Sequence, residues 1–149
     1  RSYIQLWDEK LSLNNIQELG LDQHMLDLIV LSACNTALGD PASEYGFAGF
    51  AVSSGVTTAV ASMWPVNDEG TLGFMNELYR ELHSTSLRSE AVRKAQLALM
   101  QGNVGIINGN VYGSNSEVVS YIPELAESGQ WDFSHPFYWS PFTTIGNPW

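Results

Sequence analysis

The chain contains a single cysteine, Cys34, and its type and position suit covalent chemistry. It follows a nearly continuous apolar run over residues 26–33, broken only by Asp27, which predicts a strand buried on both faces. A thiolate at the end of such a strand can face a cleft and act as a nucleophile. The alternative is a small buried side chain, the common role of a free cysteine. The residue by itself leaves both interpretations open.

A nucleophilic cysteine needs a base or a cation, and the chain has three histidines. His24 leads into the strand predicted before Cys34, so it would lie at the opposite end, and a surface role is expected. His83 falls at the end of a predicted helix, where an imidazole meets the negative end of the helix dipole. His135 precedes Pro136 in an aromatic stretch, which favours packing or loop anchoring, although it is the fallback partner. We therefore expect no histidine of this chain within hydrogen-bonding distance of the Cys34 sulfur.

Other kinds of catalytic site have weaker support in the sequence. The Ser53-Ser54-Gly55 stretch lacks the Gly-x-Ser-x-Gly elbow of serine hydrolases. No cluster of His, Cys and Asp has the spacing of known metal ligands, so we predict no metal site and no cofactor.

Charge and length exclude several classes of function. The chain has 149 residues, with six Lys and Arg against sixteen Asp and Glu, and a formal net charge of −10. This charge repels phosphate backbones, so direct nucleic-acid binding is not expected. A single cysteine cannot form an internal disulfide, no signal peptide opens the chain, and no apolar run is long enough to span a bilayer. We expect no membrane partner and a cytoplasmic location.

Strands and helices alternate along the first part of the chain. Residues 3–13 predict two short strands around a polar turn, and residues 14–19 predict a short helix that ends at Gly20. After the cysteine, residues 43–54 predict a small-residue helix and residues 56–63 predict a strand. The pattern is strand, helix, strand.

Two amphipathic helices are predicted next. Asn67 or Asp68 can cap the first, and Ser86 can cap the second, which ends at Gly102. Their apolar positions follow helical spacing: Leu72, Met75, Leu78, Tyr79 and Leu82 in the first, and Leu87, Ala91, Ala95, Ala98 and Leu99 in the second.

The last third of the chain is less regular. Residues 103–132 are rich in Gly, Asn and Ser, and we predict an insertion loop there, weakly helical over 117–127. The last strand is predicted over 139–145, with Pro141 indicating an edge or a bulge. The whole pattern predicts an α/β layered fold with a mainly parallel sheet, in which chemistry collects at the carboxyl ends of the strands.

Three stretches match a known family in order and spacing: Leu31-Ser32-Ala33-Cys34-Asn35-Thr36-Ala37-Leu38-Gly39, Ala61-Ser62-Met63-Trp64-Pro65-Val66-Asn67-Asp68 and His135-Pro136-Phe137-Tyr138-Trp139. They resemble CHAT domains, which are relatives of caspases and separases, are typically bacterial and often follow tetratricopeptide repeats. The resemblance implies a caspase-like three-layer fold with a mainly parallel central sheet. Residues 1–149 would then form the C-terminal portion of one domain, incomplete at its N-terminal side.

The same resemblance implies a cysteine endopeptidase in which Cys34 is the nucleophile of a Cys/His dyad. In caspase-like peptidases the histidine lies upstream of the cysteine and is usually followed by glycine; no such pair occurs here, so we expect it before Arg1. The backbone N–H of Cys34 would supply half of an oxyanion hole. The expected partners are a protein or peptide substrate and a tetratricopeptide-repeat region of the same chain.

Caspase relatives contact the substrate at the end of the strand after the cysteine, which makes Ser62, Met63 and Trp64 the substrate-binding candidates. Ordinary strand-end packing is the alternative for these three residues. Asp68 can bring negative charge to a specificity pocket, although a helix cap explains it more simply. A different class of function also remains open, in which a catalytically inactive CHAT-like module binds protein partners without cutting them.

Overall fold

The computed structural model describes residues 7–12, 15, 20, 26–32 and 46–149, together with the backbone of residues 3–5. Cys34, His24 and all but Asn15 of the helix predicted over 14–19 lie outside the described residues. The chain divides into two compact units. The first contains Arg1–Pro65 and Phe142–Pro148, and the second contains Val66–Pro141 with Trp149.

The first unit contains a hairpin, a three-stranded sheet and one helix. In chain order its elements are β1 (Tyr3–Gln5), β2 (Lys10–Ser12), β3 (Leu28–Leu31), α1 (Gly46–Ser53), β4 (Thr58–Ser62) and β9 (Phe142–Gly146). β1 and β2 pair antiparallel, which confirms the two strands predicted around a polar turn. The larger sheet has the order β3-β4-β9, with β3 parallel and β9 antiparallel to β4.

This sheet differs from the prediction in two respects. It is mixed, because β9 returns antiparallel along β4, so within the described residues only the β3–β4 pair is parallel. β9 also begins at Phe142 and not at residue 139. Pro136 starts a helical turn that occupies residues up to Trp139, and Pro141 has no N–H to donate to a neighbouring strand, so the strand begins after it. The α/β class itself is confirmed.

β4 is the strand buried on both faces, whereas β3 is only half-buried along its length. The prediction for the run before Cys34 was therefore wrong in its degree of burial. β4 lies between two strands, and its Ala59 and Ala61 pack against Ala48 of α1. These three small side chains let the helix approach the sheet closely. Gly55, with φ +103°, ends the segment after α1, as the sequence predicted.

The second unit contains two long helices followed by a sheet. Its elements are α2 (Asp68–Ser84), α3 (Arg88–Met100), β5 (Gly105–Ile107), β6 (Asn110–Tyr112), β7 (Val118–Tyr121), a 3-10 helix (Pro123–Leu125), β8 (Gln130–Asp132) and α4 (Pro136–Trp139). Among all the residues that the structure describes, no helix combines the length and the apolar character needed to cross a membrane.

α2 begins as predicted, because the Asn67 side chain caps it by accepting a hydrogen bond from Gly70 N at 3.1 Å. Its buried face is rotated from the predicted one. Phe74 and Glu77 lie in the core, while Tyr79, predicted to be internal, is 52% exposed. On that side a Cβ at Gly73 would lie 3.2 Å from Phe133 and from Val104, so glycine lets the helix approach these core side chains closely.

α3 has the predicted buried face but not the predicted cap. Leu87 occupies the capping position, and no side chain forms a cap hydrogen bond, so the prediction of Ser86 as the cap was wrong. Thr85 Oγ1 instead accepts from Leu87 N at 3.2 Å and shapes the turn before the helix. Gly102 ends the helix with φ +70°, and Asn103 N donates to Ala98 O.

Residues 103–132, predicted as a loop, form a four-stranded antiparallel sheet in the order β7-β6-β5-β8. A two-residue turn joins β5 to β6, with φ +48° at Asn108 and +80° at Gly109, as a type I′ hairpin turn requires. The β6–β7 register shifts by one residue: Val111 faces Ser120 but Tyr112 faces Val118, so β7 carries a bulge at the intervening residue.

A buried carboxylate ties α2 to this sheet. Glu77 is 1% exposed, and its Oε1 accepts from Ser114 N, in the β6–β7 turn, at 2.7 Å. Its Oε2 lies 2.6 Å from Arg80 Nη2. Because a buried carboxylate is stable only when hydrogen-bonded and paired, these contacts explain how an acid occupies the internal face of α2.

On the outer side of α2, Glu81 sits among cations. Lys94 Nζ lies 3.2 Å from Glu81 Oε2, and Arg80 Nη2 lies 2.7 Å from its Oε1. Partial burial raises the pKa of Glu81, but hydrogen bonds from Lys94 and Ser84 and the charges of Lys94 and Arg80 outweigh it, so the pKa is lower than its ordinary 4.5.

This lowered pKa predicts a pH dependence of stability. Because the folded chain holds Glu81 ionised more firmly than the unfolded chain does, its stabilisation is complete above the ordinary pKa and is lost as pH falls through the lower folded value. The free energy of unfolding, measured by urea titration at pH 7 and in steps below 4.5, should fall more steeply for the native chain than for Glu81→Gln. Glu124→Gln, in the exposed 3-10 helix, is the control and should follow the native curve; parallel curves for all three would contradict the prediction.

Candidate active site

The parallel strands β3 and β4 end together, and this edge is where the sequence places the chemistry. Leu31, the last residue of β3, pairs with Ala61, one residue before the end of β4. Ser32 follows β3 and is exposed. Cys34 comes two positions later and lies outside the described residues, as does Gly39 of the same motif. The structure thus provides the strand end that precedes the cysteine, and the thiol assignment stays a prediction.

The three substrate-binding candidates at the end of β4 differ in exposure. Ser62 is only 2% exposed and lies opposite Phe142 of β9, so its side chain fits strand-end packing. Met63 and Trp64 follow the strand in a bend, and both are half-buried. A half-buried apolar side chain can contact a ligand without first leaving a core. The substrate-binding role of Met63 and Trp64 stays a prediction.

Asp68 is the first residue of α2 and is exposed. Together with Glu69 it places acid in the first turn, where negative charge is favourable at the positive end of the helix dipole. The cap itself is Asn67. Local helix chemistry is thus sufficient to account for Asp68.

Both described histidines lie at helix ends. His83 is exposed in the last turn of α2, as the sequence predicted. His135 caps α4, because its Nδ1 accepts a hydrogen bond from Phe137 N at 3.2 Å. This hydrogen bond fixes His135 at the start of the helical turn and confirms the predicted anchoring role. Whether any histidine approaches the Cys34 sulfur stays a prediction, since the sulfur lies outside the described residues.

The aromatic segment around His135 is held firmly within the second unit. Trp139 Nε1 donates to Ser134 O at 2.9 Å, and Gln96 Nε2 of α3 donates to Trp139 O at 3.1 Å. Phe133 is fully buried and meets Tyr138 edge to face, with ring centroids 5.2 Å apart. The His-Pro block therefore has a clear packing role.

Two features of the second unit escaped the sequence analysis. One is the buried Glu77. In the sequence of α2 it looks like a polar residue that interrupts the apolar face, so its burial was not expected. The other is a cavity of about 310 Å³ on the sheet β5–β8, partly lined by Tyr112 and Asp132. The Asn108-Gly109 pair was a signal for that sheet, because Asn-Gly is typical of two-residue hairpins. Within the described ranges, no group of three or more His, Cys, Asp and Glu lies close enough to hold a metal ion.

Comparison with known proteins identifies one family. The family model of the CHAT domain matches residues 1–147, almost the whole chain and both of its compact units. No curated protein and no solved structure matches it. The CHAT family is related to the caspase-like cysteine peptidases. The chain belongs to the CHAT domain family.

Proposed function

We propose that this chain is the nucleophile-bearing, C-terminal portion of a caspase-like cysteine endopeptidase domain, with Cys34 as the nucleophile. The observation that carries the proposal is the shared carboxyl edge of β3 and β4. β3 ends three residues before Cys34, and β4 ends at the residue before Met63.

The proposed reaction is acyl transfer through the cysteine. The Cys34 thiolate attacks the carbonyl carbon of the scissile peptide bond, and the backbone N–H of Cys34 donates a hydrogen bond to the developing oxyanion. A histidine upstream of Arg1 takes the thiol proton and returns it to the leaving amine. Water, deprotonated by the same histidine, then hydrolyses the thioester and restores the thiol.

The histidine has a natural place beside β3. Both sides of β4 are occupied, by β3 and β9, whereas β3 has a neighbour on one side only in the described part of the sheet. A parallel strand added beside β3 would end at the same edge, next to Cys34. Such added strands would also complete the three-layer, mainly parallel caspase-like sheet. The substrate is a protein, whose chain would pass Met63 and Trp64, and a tetratricopeptide-repeat region of the same chain is the proposed internal partner.

A second candidate function is a catalytically inactive module that binds proteins through the same fold. One observation favours it: both histidines that the structure describes lie at helix ends, where capping and dipole interactions account for them. The same experiment separates the two functions.

The test uses a peptide bearing a thiol-reactive chloromethyl ketone. It is applied to the longer protein that includes the residues before Arg1, to its Cys34→Ala form, and to residues 1–149 alone. We expect strong labelling of the first, none of the second and weak labelling of the third, because a cysteine without an aligned base is only a few per cent thiolate at neutral pH.

Each alternative result has a defined meaning. Equal labelling of the longer protein and its Cys34→Ala form would contradict Cys34 as the nucleophile. Strong labelling of residues 1–149 alone would place the base within this chain and overturn the upstream histidine. Absence of labelling and of peptide cleavage in the longer protein would support the inactive binding module.

A further inference from the structure

The sheet β5–β8 has one buried face and one open face. Ile106 and Val111, paired across β5 and β6, are both completely buried. The next residue of β5, Ile107, is 42% exposed, because side chains alternate between the two faces of a strand. The residues in register with Ile107 and Gly105 therefore share the open face.

One row of that open face crosses three strands as Tyr112, Gly105 and Asp132. Gly105 pairs directly with Tyr112 on β6 and with Asp132 on β8. Neighbouring strands lie about 4.8 Å apart, so the Tyr112 and Asp132 backbones are separated by about 9 to 10 Å. Since Gly105 has no side chain, the space between the aromatic ring and the carboxylate is open. A Cβ on Gly105 would lie 2.8 Å from Trp131 O, too close for ordinary contact, so the local backbone favours glycine.

This gap coincides with the cavity of about 310 Å³, whose lining includes Gly105, Tyr112, Gln130 and Asp132. The volume is at the lower end of the range for ligand sites. It suits one long side chain of a partner better than a nucleotide or a large cofactor.

The surrounding charge selects the sign of that side chain. Among the described residues that line the cavity, Asp132 is the charged one, and residues 95–149 contain no Lys or Arg. A cleft lined by one sign of charge raises the local concentration of ligands of the opposite sign. The complementary ligand is a cation.

Asp132 is already oriented for such a ligand. Its Oδ1 accepts from Ser134 N at 2.8 Å, and its Oδ2 accepts from Ser134 Oγ at 3.0 Å. Each carboxylate oxygen has a second lone pair, so both can still accept from a guanidinium. A group fixed before binding loses less conformational entropy when the ligand arrives.

We propose that the row Tyr112, Gly105 and Asp132 is a docking site for an arginine side chain in an extended segment of a protein partner. The guanidinium stacks on the Tyr112 ring and pairs with the Asp132 carboxylate. Ile107 and Tyr121, exposed on the same face, contact apolar residues beside the arginine. Lysine binds less well, because its ammonium cannot stack or form a two-pronged pair. The site does not depend on the Cys34 chemistry.

The test measures binding of a short fluorescein-labelled peptide with arginine between two isoleucines, by fluorescence anisotropy at low salt. A second peptide carries citrulline, which keeps the shape of arginine and lacks its charge. We expect citrulline to weaken binding about tenfold, and Asp132→Asn or Tyr112→Leu to weaken it about three- to fivefold. The amide introduced by Asp132→Asn can retain both contacts to Ser134, so loss of the carboxylate charge is the main change.

Two matched controls separate docking from general charge and from folding. Glu127→Gln makes the same charge change outside the cavity lining, and Tyr112→Phe keeps the ring; both should bind within about twofold of the native chain. Equal affinity for the arginine and citrulline peptides would overturn the proposal. It would equally be overturned by an equal loss for Glu127→Gln and Asp132→Asn, or by the absence of measurable binding at millimolar peptide.

Discussion

Replacing Cys34 with serine is expected to lower kcat/KM for peptide cleavage by about 10⁴-fold or more in the protein that includes the residues before Arg1. A serine hydroxyl is far less acidic than a thiol, so a base suited to forming a thiolate cannot activate it to the same extent. The measurement is cleavage of a fluorogenic peptide mixture, followed as an initial rate over substrate concentration.

The control for this variant is Ser53→Ala, which alters a side chain of similar size at the exposed end of α1. The Ser53 hydroxyl donates to Phe50 O one turn earlier, a local contact, so its loss should change kcat/KM by less than about twofold, as for most surface substitutions. A Cys34→Ser protein that cleaves at the native rate would contradict the cysteine mechanism.

Replacing Phe133 with alanine is expected to lower the free energy of unfolding by about 4 kcal/mol. The Phe133 ring is completely buried, lies against the backbone at Gly73 of α2 and meets Tyr138 edge to face. Its removal leaves a cavity between α2 and the segment that follows β8. Gly73, which faces this cavity, has no side chain that could move to fill it. Urea unfolding of residues 1–149, analysed at constant m-value, measures the loss.

Phe137→Ala provides a matched comparison within the same aromatic segment. Phe137 is 44% exposed and keeps one edge-to-face contact with Tyr138, so we expect a loss of about 1 kcal/mol or less. Similar losses for the two variants would show that burial of Phe133 is not what holds this segment in place.

The elements that the sequence predicted well have either a long periodic pattern or a clear stop residue such as proline at one end. α2 and α3 were identified by helical spacing over many residues, and β4 by a β-branched and apolar run ending before Pro65. Rotation of a helix about its axis is harder to predict. The buried Glu77 and exposed Tyr79 of α2 depend on partners distant in sequence, such as Ser114, and tertiary contacts override the local pattern.

The sheet β5–β8 was missed because its strands are too short to show alternation. Three of its four strands have three residues each, and their stability comes from pairing between segments far apart in sequence, such as Gly105 with Asp132. Glycine at 105 lowered the strand signal, although the close backbone approach at that point is the reason for it. For the candidate active site, the sequence motif predicts Cys34 and the end of β4, and the Cys34 assignment stays a prediction; the burial of Ser62 depends on the neighbouring strand β9 and could not be read from the motif.

The bulge in β7 also bears on the solubility of the protein. β7 is an edge strand of the described sheet and exposes Val118, Val119 and Tyr121, a composition that favours pairing with another chain. The extra residue at 119 breaks the regular spacing of backbone donors and acceptors along this edge, so a second strand could stay in register with only part of it. Glu117, just before the strand, adds a negative charge that opposes pairing with the same edge of a second copy. The irregularity thus protects an apolar edge from growth into intermolecular β-structure.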